Sequence, residues 1–369
     1  MPSPELLAKG AHEMTVCNSC RYCEQYCPVF PAMERRQTFR PADLAYLANL
    51  CHNCGECLYA CQYAPPHEFG IDVPRTMARL RLESYEDHCW PRVLGRPYRQ
   101  HGPATAVVLV VACAGVLGAL TAWGQPGALS SGRADADFYA VIPHHVMVGL
   151  FGAAGGFAAL ALAVSLTRYW RTLAAASVAP VTVRAIVRAI RDGVTLTHLH
   201  ASGPDCVSAE EVRTPWRRRW HHATLGGFLL CFASTTVAAV YHTVFGWHAP
   251  YAWSSLPVLL GAAGGVGLVV GPAAQWWERR RRDPALGDPA QTGMDEALLL
   301  LLWLTSATGL ALLVLRTRPV MAPLLVVHLG TVLALFVTLP YGKFVHGFYR
   351  LLALVKDAAE AESAPPAAG

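Results

Sequence analysis

The chain has 369 residues, 53% of them hydrophobic, and a mean hydropathy of +0.31; it is too apolar for an average soluble protein and long enough for more than one domain. Its formal net charge of +5 comes with no nucleic-acid-binding motif, and its basic residues cluster beside apolar segments, so no nucleic acid is expected as a partner. Without a phosphate-cradling glycine loop, a nucleophile elbow or a dinucleotide fingerprint, the chain is expected to bind neither flavin nor nicotinamide itself.

Residues 1–103 carry eleven Lys or Arg and eleven Asp or Glu, an ordinary soluble balance. They open MPSPELLAKG, with no apolar signal core, which points to a reducing compartment rather than to secretory disulfides. Eight of the twelve cysteines then fall in two runs, Cys17-x2-Cys20-x2-Cys23-x3-Cys27-Pro28 and Cys51-x2-Cys54-x2-Cys57-x3-Cys61. Three thiolates stepped by three residues wrap one iron-sulfur cube, and the fourth cysteine of each run is too distant to close its own site. The spacing therefore predicts two four-iron clusters with exchanged ligands: Cys17, Cys20, Cys23 and Cys61 on one, Cys51, Cys54, Cys57 and Cys27 on the other. Structural zinc, the competing reading, favours two separated ligand pairs, often with histidine. One departure is Gln62 after the second run, where proline is expected; Pro65 and Pro66 come later.

Between the runs, Arg40 to Leu50 has a proline start and apolar positions at helical spacing, so the second run is expected to open at a helix end. Val73 to Leu82 also reads as a helix, with Arg75, Arg79 and Arg81 on a solvated face. A mostly helical two-cluster module follows.

Six later stretches are long enough to cross a bilayer, at about 104–124, 139–166, 220–244, 253–277, 295–315 and 322–345. The fold class expected is all-α: a ferredoxin-like two-cluster head over 1–103, a six-helix transmembrane bundle over 104–356 with a basic loop at about 167–219, and a flexible tail over 357–369. Glycine-rich patches at Gly152–Gly156 and Gly261–Gly267 suit close helix approach in lipid. Lys and Arg near spans are retained in the cytoplasm. With the amino terminus inside, nineteen basic residues lie on inner segments, among them nine arginines between Arg168 and Arg219 and the run Arg279–Arg282; only Arg133, Arg316 and Arg318 lie outside. The clusters are thereby assigned to the cytoplasm.

Ionisable side chains within spans are rare and usually functional. His328 and His346 are eighteen residues apart, which on one continuous helix returns to the same face about 27 Å away. His221 and His242, twenty-one apart, share a face more closely than His222 and His242 do. In antiparallel helices His221 faces His346 near the inner surface and His242 faces His328 near the outer one, two pairs that could each hold a b-type haem. Otherwise these are interfacial histidines hydrogen-bonded near helix ends. His144 and His145 could replace His242 or His328, or line a quinone pocket. His198, His200 and Cys206 form a loop cluster read as structural or as contact with the head; Cys113 and Cys231 read as packing residues, and Cys89 has no assigned role.

The cysteine runs, with Arg217-Arg-Arg-Trp-His-His-Ala-Thr-Leu-Gly-Gly-Phe228, Tyr241-His242 and Phe245-Gly-Trp-His-Ala-Pro-Tyr251, resemble the tricarballylate or citrate utilisation B proteins over essentially the whole chain. The segment from His328 through Pro340-Tyr-Gly-Lys-Phe-Val-His346 also resembles the haem-binding end of nitrate reductase gamma subunits, where two histidines of one helix serve different haems. The resemblance implies a multi-pass protein of the bacterial inner membrane, amino terminus in the cytoplasm, taking electrons from the reduced flavin of a separate FAD-dependent dehydrogenase of tricarballylate or a related acid. Iron-sulfur clusters and one or two b-type haems would lead to the quinone pool. The alternative is a membrane-anchored iron-sulfur sensor or assembly anchor; a tricarboxylate transporter is disfavoured by the few intramembrane charges.

Overall fold

The structure, a computed structural model, describes residues 3–130, 137–177, 179–199, 206–207 and 213–364. Its described residues form fourteen α-helices and one two-residue antiparallel pair, Cys206–Val207 with Arg213–Thr214, too small to change an all-α architecture.

The head begins with α1 (Pro4–Cys20), capped by the Ser3 hydroxyl, which accepts from the Leu6 amide. Short α2 (Val29–Glu34) leads to α3 (Pro41–Leu50), where the Asp43 carboxylate accepts from the Arg40 amide at 3.1 Å. After α4 (Glu56–Tyr59) comes α5 (Val73–His88), capped by Asp72. Met14, Phe30, Met33, Leu44, Leu47, Met77 and Leu80 are buried together where α1, α2, α3 and α5 meet. The expected exposed arginine face holds only in part. Arg81 is buried and donates to the carbonyls of Ala48 and Cys51, each at 2.8 Å, because its position on α5 faces the end of α3.

Helix α6 (Arg92–Gln100) leads into six helices long and apolar enough to cross a membrane: α7 (Gly102–Gly124), α8 (His144–Ala176), α10 (Trp216–Phe245), α11 (Leu256–Arg281), α12 (Pro289–Leu315) and α13 (Met321–Thr338). The amphipathic α9 (Val183–Thr195) lies between α8 and α10, and α14 (His346–Ser363) closes the chain. Helices α10 and α11 approach backbone to backbone. A Cβ added at Gly264 would lie 2.8 Å from the backbone of Cys231 and Gly227, so only glycine permits the contact.

Two expectations are corrected. The sixth span ends at Thr338, not near residue 345; a turn through Pro340 and Gly342 and a 3-10 turn over Lys343–Val345 separate it from α14. Residues 357–363 are not a tail: they are the end of α14, with Asp357 and Glu360 buried.

Helix α14 straps the head to the membrane helices. Arg35 donates to Asp357 at 2.9 Å, and Arg36 donates to Asp43 at 2.9 Å and to Glu360 at 2.7 Å. Lys356 lies 3.3 Å from Glu360, whose carboxylate also accepts from Ser177 at 2.5 Å, beyond the end of α8. Burial by itself would raise the Glu360 carboxyl, but the Arg36 and Ser177 hydrogen bonds and the Arg36 and Lys356 charges hold it below its ordinary value.

Two outcomes are expected. Glu360→Gln, which removes the paired anion of the buried Lys356 and leaves Arg36 only Asp43, should destabilise the protein by about 3–5 kcal/mol. Because the folded carboxyl lies below the ordinary 4.5, the stability it adds is present above that value and lost as pH falls through the lower folded one, so thermal scans of the variant should show a weaker acid dependence. Gly264→Val should cost about 1–3 kcal/mol by forcing α10 from α11, read as a lowered Tm in detergent.

Candidate functional site

Each cysteine run is laid out by a helix end. Cys17 and Cys20 occupy the last turn of α1, after which Arg21 at φ 55 turns the chain through Cys23 to Cys27. Helix α3 stops at Leu50; Cys51 is extended, Asn53 at φ 57 and Gly55 at φ 93 wind the loop past Cys54, and α4 presents Cys57.

The two runs interleave in space. A cavity of about 250 Å³ is lined by Cys17, Cys20, Cys23 and Cys61, with Cys57 also on its wall. A second, closed down to about 10 Å³, is lined by Cys27, Cys51, Cys54 and Cys57. Each cavity is lined by cysteines of both runs, and Cys57 lies on the walls of both. Among the described residues no three His, Cys, Asp or Glu side chains gather closely enough to hold a single metal ion; the thiols instead line cavity walls. Burial, then the neighbouring cysteines, pushes the Cys27 and Cys57 thiols well up, and the Cys23 thiol up to about 12. Left as thiols they stay protonated at neutral pH; a bound metal would displace those protons.

The second loop is held largely from outside the head. Asn53 donates to the Leu286 carbonyl at 2.6 Å, in the turn between α11 and α12, and Arg282 donates to the Asn53 carbonyl. Arg217 of α10 donates to the Asn53 carbonyl at 3.0 Å and the His52 carbonyl at 3.2 Å. Arg350 of α14 donates to the Cys51 carbonyl at 2.6 Å. His52, 5% exposed, lines the second cavity with its Nδ1 buried and unpartnered, and its ring meets His198 at 5.9 Å.

Of the two expected histidine pairs the structure assembles one. The rings of His221 and His346 lie 6.0 Å apart at 70°, brought together by α10 and the start of α14. His346 Nδ1 lies 2.6 Å from the Lys343 carbonyl; an N–H donated there leaves Nε2 with the free lone pair. Burial, then Lys343 and His221, pushes His346 down to about 3, so the ring is neutral. His328 and His346 are not on one helix, since the chain turns between them at Pro340 and Gly342.

His242 does not face His328. It stacks on His144 at 3.7 Å, and its Nδ1 is 3.0 Å from His248 Nδ1 and 3.5 Å from the Tyr139 hydroxyl. His328 instead packs on α12, its Nδ1 3.1 Å from the Thr308 hydroxyl. His145 and His222 are exposed, the latter 3.2 Å from the Val194 carbonyl. His198 does contact the head, His200 lies outside the described residues, and Cys206 sits on a strand. Cys231 packs against α11 at Gly264 as expected, and Cys89 donates to the Glu86 carbonyl at 3.3 Å.

A family model described as Citrate utilization protein B matches residues 100–368, and one described as Citrate utilization protein B Fer4-like domain matches residues 10–87. The chain belongs to the citrate utilization protein B family. Citrate utilization protein B of Escherichia coli is 47% identical to it over 348 residues, 94% of this chain and 90% of that protein. No solved structure matches. The Fer4-like match spans both cysteine runs, and the longer match covers all six membrane-length helices of this membrane-embedded family member.

Sequence reasoning missed His248, His52, Arg217 and Arg350. His248 stood in the quoted Phe245–Tyr251 motif but follows the span, outside the search for intramembrane groups. The two arginines carried a signal, their place beside spans, that the topology rule had already absorbed.

Gly55 ties the second loop to the membrane helices most tightly, since a Cβ there would lie 2.5 Å from Leu286 Cδ2 and its φ is 93. Gly55→Val should cost about 1–3 kcal/mol in backbone strain alone. The loop should become more sensitive to limited proteolysis while the six spans remain protected.

Proposed function

We propose that the chain is a membrane electron-transfer protein, carrying electrons from the reduced flavin of a partner dehydrogenase of tricarballylate or a related tricarboxylate to the quinone pool. The observation that carries this reading is that the eight thiols line two cavities, each with cysteines of both runs on its wall and with Cys57 on both. Cys17, Cys20, Cys23 and Cys61 would hold one four-iron cluster and Cys51, Cys54, Cys57 and Cys27 the other. The donor set fits; at the smaller cavity the side chains must also move outward to make room. His221 and His346 could hold a b-type haem, because two half-buried imidazoles meet from separate helices and one already donates its other nitrogen to a carbonyl.

When bound, these groups supply one-electron acceptance and release at potentials the surroundings set. The chain's own residues keep water from the second cavity, aim His346 Nε2 through the Lys343 carbonyl, and fix the head against the spans. The basic asymmetry of the loops supports a cytoplasmic head at the bacterial inner membrane. The name of the Escherichia coli relative supports a place in the use of citrate or a similar acid.

Iron, acid-labile sulfide and haem measured on one anaerobic preparation test the assignment. Cys61→Ala should lower iron and sulfide toward about half, whereas Cys113→Ala should not. His346→Ala should abolish the b-type absorbance and leave the iron-sulfur content unchanged. Zinc in place of iron would overturn the reading, and absence of quinone reduction with a reduced flavin donor would favour a sensor or assembly anchor.

A further inference from the structure

Helices α10 and α14 each carry one histidine of the facing pair, and each carries an arginine one turn away. Arg217 precedes His221 by four residues and Arg350 follows His346 by four, so the Cα of each arginine stands about 6 Å along the axis from that of its histidine. Both guanidinia end on the same stretch of the head. Arg217 takes the carbonyls of Asn53 and His52, and Arg350 those of Cys51 and, at 3.4 Å, Asn49. The backbone around Cys51 is thus gripped by the two helices that bring His221 and His346 to 6.0 Å of each other.

The first cysteine cavity has a different setting. Gln62 on its wall is exposed, and Tyr22, also on the wall, is 67% exposed. At the second, Cys51 and Cys54 are buried against the arginine-bearing elements.

We propose that the second cysteine site is where electrons leave the head, and that Arg217 and Arg350 are positioning residues which hold its loop over the His221–His346 pair. The inference rests on the electron-transfer reading and adds to it the order of the two sites. Electrons enter at the exposed Cys17–Cys61 side and cross to the imidazole pair from the Cys51 side; one electron lost there is one gained between the histidines, and no proton moves.

Charge supports the assignment. Arg81 and Arg350 both donate to the Cys51 carbonyl, a crowding of like charges beside that thiol. Added negative charge at the neighbouring thiolates relieves that repulsion. Positive charge and hydrogen bonding beside the site stabilise its reduced form and raise its potential above that of the exposed site, which gives the transfer its direction.

The test uses full-length protein in detergent, prepared without oxygen, comparing wild type with Arg350→Gln, Arg350→Lys and Arg217→Gln. Electron paramagnetic resonance during a redox titration follows each cluster, and stopped-flow absorbance follows haem reduction by dithionite. The signal absent from Cys61→Ala identifies the exposed site. With iron, sulfide and haem retained, Arg350→Gln and Arg217→Gln should lower the midpoint potential of the other signal alone, and slow haem reduction about tenfold or more. Arg350→Lys should restore most of the potential but less of the rate, because it keeps the charge without the planar fork.

Equal shifts of both signals, a shift confined to the exposed site, or unchanged potentials and rates would overturn the inference. Should Arg350→Gln lose its iron altogether, Arg217→Gln and Arg350→Lys decide by the same criteria. Wild-type protein without iron or haem would instead sink the underlying reading, before any arginine variant is compared.

Discussion

Helix α3 stops at Leu50, and the carbonyls that its last turn leaves without partners sit against the membrane helices. Arg81 from within the head, and Arg217 of α10, Arg282 at the end of α11 and Arg350 of α14, donate to carbonyls between Ala48 and Asn53. Cations at a helix carboxyl terminus are favoured by the dipole, and charge-assisted hydrogen bonds are about twice as strong as neutral ones. The same bonds complete the helix end, set the path of the second cysteine loop, and fasten an otherwise ordinary soluble head to a membrane anchor. Few single interactions here touch so many levels of the structure.

The strap through α14 is the second constraint. Arg35, Arg36 and Lys356 meet Asp357 and Glu360 in a largely buried network, with Asp43 and Ser177 accepting or donating at its edges. Each charge is tolerated because it is paired and hydrogen-bonded. Since the strap begins at His346 and ends on the head, it draws the histidine toward α10 while fixing the head's orientation. Docking of the head and assembly of the imidazole pair are one packing event.

The end of the bundle away from the head is built differently. His144, His242 and His248 cluster with Tyr139 where α8 and α10 approach, and His328 is turned away to the Thr308 hydroxyl on α12. Helical phase by itself had matched His242 with His328. Phase says which residues share a face of one helix but not which neighbour that face meets, and the continuous helix assumed from His328 to His346 was already broken by Pro340 and Gly342.

By itself the sequence determined what depends on near neighbours along the chain. Cysteine spacing specifies how many thiolates one turn can offer, and apolar length specifies which helices can cross lipid. Only the tertiary structure decided that His242 meets His144 and not His328, that the chain turns between His328 and His346, and that residues 357–363 are the end of a helix packed on the head. These outcomes turn on contacts between segments up to 325 positions apart, such as Arg35 with Glu360. No local pattern encodes such a pairing; it follows from the packing of whole helices, to which each side chain contributes a small part.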